Sequence, residues 1–253
     1  MGKVEAPVDE VVAGGVEVTE TKLDIQAFIV AADNYTGPSV VPYPVRIRNN
    51  PNNEVSPCAV YQRILQEETC DILVYLHSDL TIHDPTWMTR LEAIFTNPNC
   101  VVAGLGGATA LGHPDIYRKP YELQQLARYG YASNQSDWQV HGSHEAGIKR
   151  VAVLDAFLLA VRRDWLLDVG GWPTEHLTFH CLDTWLACEA ARQGKETWMV
   201  GVPCHHAGGG TSVTESYAKA KWLQGNSVEE DHRRPHAFLY HEYRDVLPLR
   251  VPE

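Results

Sequence analysis

No stretch of this sequence approaches the roughly 18 consecutive apolar residues that a membrane-spanning helix needs. Basic runs are as scarce: Arg162-Arg163 and Arg233-Arg234 are isolated pairs in a chain of formal charge −11. Such net acidity repels phosphate backbones, which argues against general nucleic-acid binding. The six cysteines (Cys58, Cys70, Cys100, Cys181, Cys188, Cys204) contain no C-x-x-C pair. That spacing speaks against a structural zinc site or a disulfide framework and leaves most of them as small buried hydrophobes. The amino-terminal MGKVEAPVDEVV lacks an apolar signal core and the Ser or Thr of a myristoylation signal, so the expectation is a soluble, cytoplasmic protein. Two signatures are also missing. No lysine follows Gly208-Gly209-Gly210 as a P-loop requires, and His141, His144, Glu145, His205 and His206 make no H-E-x-x-H, which counts against a metal hydrolase.

What is present is enough apolar material for one sizeable core or two modest ones: 253 residues, 44% hydrophobic. Ile25–Ala31, Val45–Arg48, Ile72–Leu76, Val101–Leu105 and Thr197–Val202 read as strands, and Val151–Val161 as one or two more. Helices are expected from Ser56 to Glu68, with Ser56 as N-cap and Pro57 in the first turn, and from Asp84-Pro85 through Phe95. Asp164–Val169, ended by Gly170-Gly171, and Leu182–Gln193, ended by Gly194, are two further helices. Residues 1–22 read as an arm or edge strand and 23–215 as one α/β domain. Within it, 106–150 reads as an irregular, acceptor-side insert, with a small helix such as Tyr121–Tyr129 and the aromatics Tyr129, Tyr131 and Trp138. Residues 216–253 read as a polar tail with a docking helix at Ala237–Tyr243. Strands alternating with helices predict a mixed, mostly parallel sheet flanked by helices, with ligands beyond the carboxyl ends of its strands.

Three polar groupings fall at such ends. The first is DILVYLHSDL, where a buried strand runs into His77-Ser78-Asp79. A carboxylate held at a rigid strand end suits a divalent cation that keeps its other positions for phosphate and water. The second is FHCLDTWLACEAARQG, with His180 and Asp183 at the start of a helix whose dipole favours an anion. The third is CHHAGGG, in which adjacent histidines of an extended segment point opposite ways, so one at most should be a ligand. A turn-capping Asp79, a helix-terminal charge at Asp183 and a surface histidine pair are the ordinary alternatives, and sequence alone leaves them open.

The order of these pieces resembles the GT-A glycosyltransferases, above all the large family 2 of nucleotide-sugar transferases. The order runs Asp33-Asn34, His77-Ser78-Asp79, Leu154-Asp155-Ala156-Phe157, Gly170-Gly171-Trp172, Phe179-His180-x-x-Asp183 and Cys204-His205-His206. The likeness spans about residues 24–215 and is most specific over 151–210. It implies a Rossmann-like GT-A fold and inverting, metal-dependent transfer of a hexosyl-type sugar from a nucleoside-diphosphate sugar, UDP-sugar favoured, to an acceptor hydroxyl. The implied cofactor is Mn2+ or Mg2+. By position, Asp79 and a C-terminal histidine, His205 or else His206, would hold the metal. Asp33, Asn34, His77, Ser78 and Asp79 would contact the donor, Asp33 at its nucleobase. Asp183 would be the base, and Asp155, His180, Trp172 and His206 would lie near sugar or acceptor. A catalytically inactive nucleotide-sugar-binding module of the same fold is the alternative. Two departures stand out. The family's opening V-x-V-V-I-P-x-Y-N strand is either replaced by Val11–Val18 or is Ile25–Ala31 itself, which would displace the Asp33 assignment. NNEVSPCAVY also carries Val55 and Tyr61 where Gly and Asn are customary, so donor preference is expected to differ.

Overall fold

The computed structural model describes residues 22–31, 41–112, 125–130, 132–133, 143–144, 146–206, 215–223 and 226–251. In chain order the elements are β1 (Ile25–Ala31), β2 (Val45–Asn49), α1 (Pro57–Glu67), β3 (Ile72–Leu76), β4 (Leu80–Ile82), α2 (Trp87–Phe95) and β5 (Cys100–Gly104). Next come β6 (Gly106–Leu111), β7 (Gln125–Gly130), β8 (Ala132–Ser133), β9 (Ser143–His144), β10 (Ile148–Val151), β11 (Val153–Leu154) and β12 (Leu158–Arg162). The last are α3 (Arg163–Asp168), α4 (Leu182–Arg192), β13 (Glu196–Val200), β14 (Cys204–His206), α5 (Glu215–Ala218), α6 (Val228–Glu242) and β15 (Leu249–Arg250).

The main sheet has seven strands in the order β10-β13-β5-β12-β3-β1-β2. β2, β1 and β3 run parallel, β12 is inserted antiparallel between β3 and β5, β13 runs with β5, and β10 returns antiparallel. Only β12 and β10 run against the rest, so the expected mixed, mostly parallel α/β sheet is what forms. β3 and β5 are buried along their whole length, which is why they read as unbroken apolar runs rather than alternating ones. Their side chains still alternate between two cores. Leu73 and Tyr75 join the cluster under α1, α4 and α6, whereas Ile72, Val74 and Leu76 join the one under α2.

Helix starts follow their local chemistry. The Ser56 hydroxyl accepts the Ala59 N–H at 3.3 Å, with Pro57 in the first turn of α1, as the sequence predicts. The docking helix expected at 237–243 is longer: α6 begins at Val228 behind a reciprocal Ser227/Glu230 capping box. Its buried positions Asp231, Pro235 and Leu239 recur at four-residue spacing, with Tyr240 beside the last, among charged neighbours, and Pro235 sits inside the helix, so the periodicity is masked.

The insert also departs from expectation. Where described, 106–150 is strand-rich rather than irregular: β6 pairs with β7, β11 and β15, and β7 with β9. The small helix expected over Tyr121–Tyr129 is not formed at 125–130, where β7 runs antiparallel to β6. Strand pairing supplies the backbone partners there and overrides local preference. Ile25–Ala31 lies directly beside Ile72–Leu76 in the main sheet. Val11–Val18, Asp33, Asn34, Tyr131 and Trp138 lie outside the described residues. Among the described residues, no helix is long and apolar enough to cross a membrane.

Candidate metal centre and base

β3 ends at Leu76, and the backbone N–H of His77 donates to the Phe157 carbonyl at 3.0 Å, pinning the turn to the start of β12. The chain then bends through Ser78 and Asp79 into β4. That strand pairs antiparallel with β14, in register Leu80↔His206, Thr81↔His205 and Ile82↔Cys204. This small sheet brings a C-terminal histidine to the carboxyl end of β3. His206 Nε2 stands 3.3 Å from Asp79 Oδ1 and 3.2 Å from His77 Nδ1, and His77 Nδ1 is 4.0 Å from the same carboxylate oxygen. The Phe157 ring stacks on His206 with centroids 5.1 Å apart.

One ligand atom from each of His77, Asp79 and His206 can lie within 4.8 Å of the others. Donor atoms about 2.1 Å from a common ion, at angles between octahedral and tetrahedral, are separated by about 3–3.4 Å. The two shorter spacings fall in that range, and the third needs only a small side-chain rotation. The protonation states suit a cation too. Burial and the neighbouring His206 hold the His77 imidazole down at about 4, against the pull of Asp79 and Asp155, so it is neutral with a lone pair to give. Burial would raise the Asp79 carboxyl, but the hydrogen bond and charge of His206, with His77 behind it, bring it down to about 2. Two imidazoles and one carboxylate favour a transition ion such as Mn2+ over Mg2+, which prefers oxygen ligands and retains water. His205, the histidine first expected to be a ligand, is not one of the three. It pairs with Thr81, and β-strand alternation gives the Asp79 side to His206.

Asp183 lies in the first turn of α4. The turn is entered through Cys181, a non-glycine residue in the left-handed region at φ 63°. Such a conformation costs about 1–3 kcal/mol and persists where surrounding structure enforces it. Asp183 Oδ1 accepts the Thr184 N–H at 2.7 Å and faces its hydroxyl at 3.3 Å. Even so, burial first and the nearby Asp155 second push the Asp183 carboxyl up to about 7. Asp155 also acts on His77, so its charge is felt both among the three possible ligands and at Asp183. Its place is set by a close approach of two strands. A Cβ on Gly107 would come within 2.5 Å of the Val153 carbonyl, and the Asp155 N–H donates to the Gly106 carbonyl at 2.9 Å. Gly107, lacking a side chain, is what lets β11 press against β6.

The other expected residues are placed differently. Trp172 is 3% exposed and packs among Tyr61, Tyr75 and Trp185, so it supports the site from inside the core and offers no face to a sugar. His180 turns to the C-terminal segment: its Nε2 is 3.0 Å from the Tyr217 hydroxyl. Tyr217 donates to Asp231 Oδ2 at 2.7 Å, and the Thr178 hydroxyl donates to Asp231 Oδ1 at 2.7 Å. Because the Tyr217 hydroxyl spends its proton on Asp231, it accepts from His180, which fixes the tautomer with the proton on Nε2. Burial, and the adjoining His232, hold His180 at about 4. Tyr217, Asp231 and Phe157 were not legible as site residues. Each is an ordinary residue type in sequence and gains meaning only from its contacts. Ser78 lies in the turn between His77 and Asp79, partly exposed.

Residues 45–226 match the family described as "Glycosyltransferase like family". No curated protein matches the chain. Among solved structures, the crystal structure of GalNAc-T7 with UDP, GalNAc and Mn2+ is similar at 10% identity and TM-score 0.42, over 64% of this chain and 32% of that one. The mannosyltransferase PcManGT from Pyrobaculum calidifontis, in complex with GDP-Man and Mn2+, is similar at 12% identity and TM-score 0.45, over 74% of this chain and 58% of that one. This chain therefore spans less than two thirds of either, and the match over 45–226 is what defines the family.

Proposed function

The chain belongs to the glycosyltransferase-like family, and from that membership we propose that it is a metal-dependent, inverting transferase moving a sugar from a nucleoside-diphosphate sugar to an acceptor hydroxyl. The observation that carries the reading is the convergence of His77, Asp79 and His206 at the end of β3, with the charge of Asp155 felt both there and at Asp183. His77, Asp79 and His206 would hold a divalent cation, which when bound neutralises charge on a departing diphosphate. Asp183 takes the acceptor proton. A carboxyl raised to about 7 is a far stronger base than an ordinary aspartate and is still substantially ionised at neutral pH. Asp155 keeps Asp183 basic and would lie near the sugar. Separating the diphosphate-binding group from the base suits in-line displacement, in which nucleophile and leaving group flank the anomeric carbon.

The test is a thermal-shift panel of UDP, GDP, dTDP, CDP and CMP, each with and without Mn2+. Stabilisation by one diphosphate only in the presence of metal, lost in Asp79→Ala, is expected and names the donor class. Nucleotide binding that Asp79→Ala leaves unchanged, or no shift with any nucleotide, removes the reading. Binding without turnover, in a protein whose Asp183→Asn variant behaves like the parent, would favour an inactive binding module.

A further inference from the structure

A second recess lies on the other flank of α6, away from the His180 contact. It is a cavity of about 610 Å³ lined by Asn226, Glu230, Arg233, Arg234 and Ala237. Positions 230, 233, 234 and 237 are one helix face at three- and four-residue spacing. The volume falls in the range of small-molecule sites and admits a monosaccharide phosphate. Two adjacent guanidiniums are unusual here, since the chain carries 32 acidic against 21 basic residues and Arg46, Arg48, Arg90, Arg150 and Arg192 are all spent on ion pairs.

The two arginines lining the cavity are less engaged. Arg233 makes no ion pair and no hydrogen bond among the described residues. Arg234 comes only to 3.8 Å from Asp231 Oδ1, beyond hydrogen-bond distance. Both Asp231 oxygens already accept hydroxyl protons, from Thr178 and Tyr217 at 2.7 Å each. The planar donor fork of Arg234 thus donates no hydrogen bond to Asp231, although the guanidinium is ion-paired with it. Among the described residues Glu230 puts one carboxylate on the wall; its Oε2 accepts the Ser227 N–H at 3.0 Å, which holds it to the start of the helix, and its charge offsets one guanidinium. Among the described residues the wall presents Arg233, Arg234 and the Asn226 amide beside Glu230, a set in which the guanidiniums and the amide can donate to a phosphate or carboxylate.

We infer that this cavity binds a small soluble anion, and, on the transferase reading above, that the anion is the phosphate or carboxylate of the acceptor. A chain of contacts runs from the cavity to the segment before the base. Arg234 faces Asp231, Asp231 accepts from Tyr217, and Tyr217 accepts from His180, three residues before Asp183.

The experiment is calorimetric titration of the full chain with glucose 1-phosphate, and with methyl glucoside as the uncharged counterpart. Chelator is present and nucleotide absent, so the donor site plays no part. The expected result is saturable binding of the phosphate with Kd in the millimolar range or below, weakened by salt, and no heat from methyl glucoside. Arg233→Gln and Arg234→Gln are each expected to weaken binding about tenfold. Arg233→Gln breaks no internal contact, so it reports even if Arg234→Gln loosens Asp231. Equal binding by both variants, or no binding by the parent up to about 20 mM, overturns the inference. Phosphate binding with no nucleotide shift leaves the cavity standing and fells the transferase reading. A nucleotide shift with no phosphate binding does the reverse.

Discussion

At the scale of single residues, the chemistry turns on one carboxyl whose surroundings oppose its ionisation. Burial and Asp155 raise Asp183 from 3.8 to about 7, against the hydrogen bonds from Thr184. Two consequences follow with definite signs. Transfer needs the ionised form, so its rate is expected to climb with an acid limb near pH 7. Asp155→Asn removes the second cause of the rise, so the limb should move to lower pH. A pH–rate profile reads both, and a limb that stays in place would show that Asp155 does not act on the base. Asp183→Asn should cost about 10²–10⁴ in turnover while metal-dependent nucleotide binding persists. The linkage to stability runs the opposite way to that of a salt-bridged aspartate. A folded value above the unfolded one gives stability that is fully present below pH 3.8 and lost as pH rises through about 7. Asp183→Asn should therefore melt higher than the parent at pH 8 and close to it at pH 4; a lower melting temperature at pH 8 would contradict the burial of a reluctant charge. The residue types at this site were legible because Asp and His at strand and helix ends have few structural reasons to be there. Which of His205 and His206 faces Asp79 was not legible, since it depends on the parity of β14 against β4, a tertiary register. Trp172 was misplaced for a related reason: sequence shows an aromatic near a motif, not which side of the chain the core lies on.

At the scale of elements, α6 is the piece most easily underestimated. In sequence it is a polar tail with a short apolar end, whereas in the fold it supplies Asp231, 0% exposed, as the acceptor that holds Thr178 and Tyr217. Those two bonds fix the segment carrying Phe179 and His180, which leads into α4 and Asp183. Tyr217→Phe deletes the donor to a fully buried carboxylate and the acceptor for His180. The expected cost is about 1–3 kcal/mol in a urea titration, together with a lower turnover from a displaced His180. A loss in stability with unchanged turnover would make the network structural only. Ser227→Ala, which removes the capping-box hydroxyl, is expected to cost about 1 kcal/mol and to leave turnover alone. Helices with ordinary caps, α1 above all, were legible to within a residue or two. α6 was not, because its buried stripe alternates with charged side chains and contains Pro235. The 106–150 region was misread for a different reason. β6 is the small-residue run GGATAL, whose strand character comes from the partners it pairs with and not from its own composition.

At the scale of the whole molecule, the site is a by-product of how the sheet is wedged between two cores. β3 sends Leu73 and Tyr75 to one side and Ile72, Val74 and Leu76 to the other, so it can neither slide nor rotate without disturbing both. The His77-Ser78-Asp79 turn is rigid on that account, before any ligand arrives. The tightest packing behind it is aromatic. Tyr75 lies 4.3 Å from Tyr61 and 5.5 Å from Trp172 between ring centroids, and Trp172 lies 5.5 Å from Trp185 of α4, the helix that carries Asp183. The Trp172 indole N–H also reaches the Tyr75 hydroxyl at 3.4 Å. One buried ring thus links the strand that bears the possible ligands to the helix that bears the base. Trp172→Ala empties that position and is expected to cost about 3–5 kcal/mol, measured by urea unfolding. If the ring is the mechanical link, the nucleotide-and-metal thermal shift and the turnover should both fall in the surviving folded fraction. Trp172→Phe, which keeps an aromatic face while losing the N–H, should retain most of both. A Trp172→Ala protein that is destabilised but binds and turns over like the parent would mean that the two halves of the site are held independently by their own strands and helix, with the aromatic layer serving the fold alone.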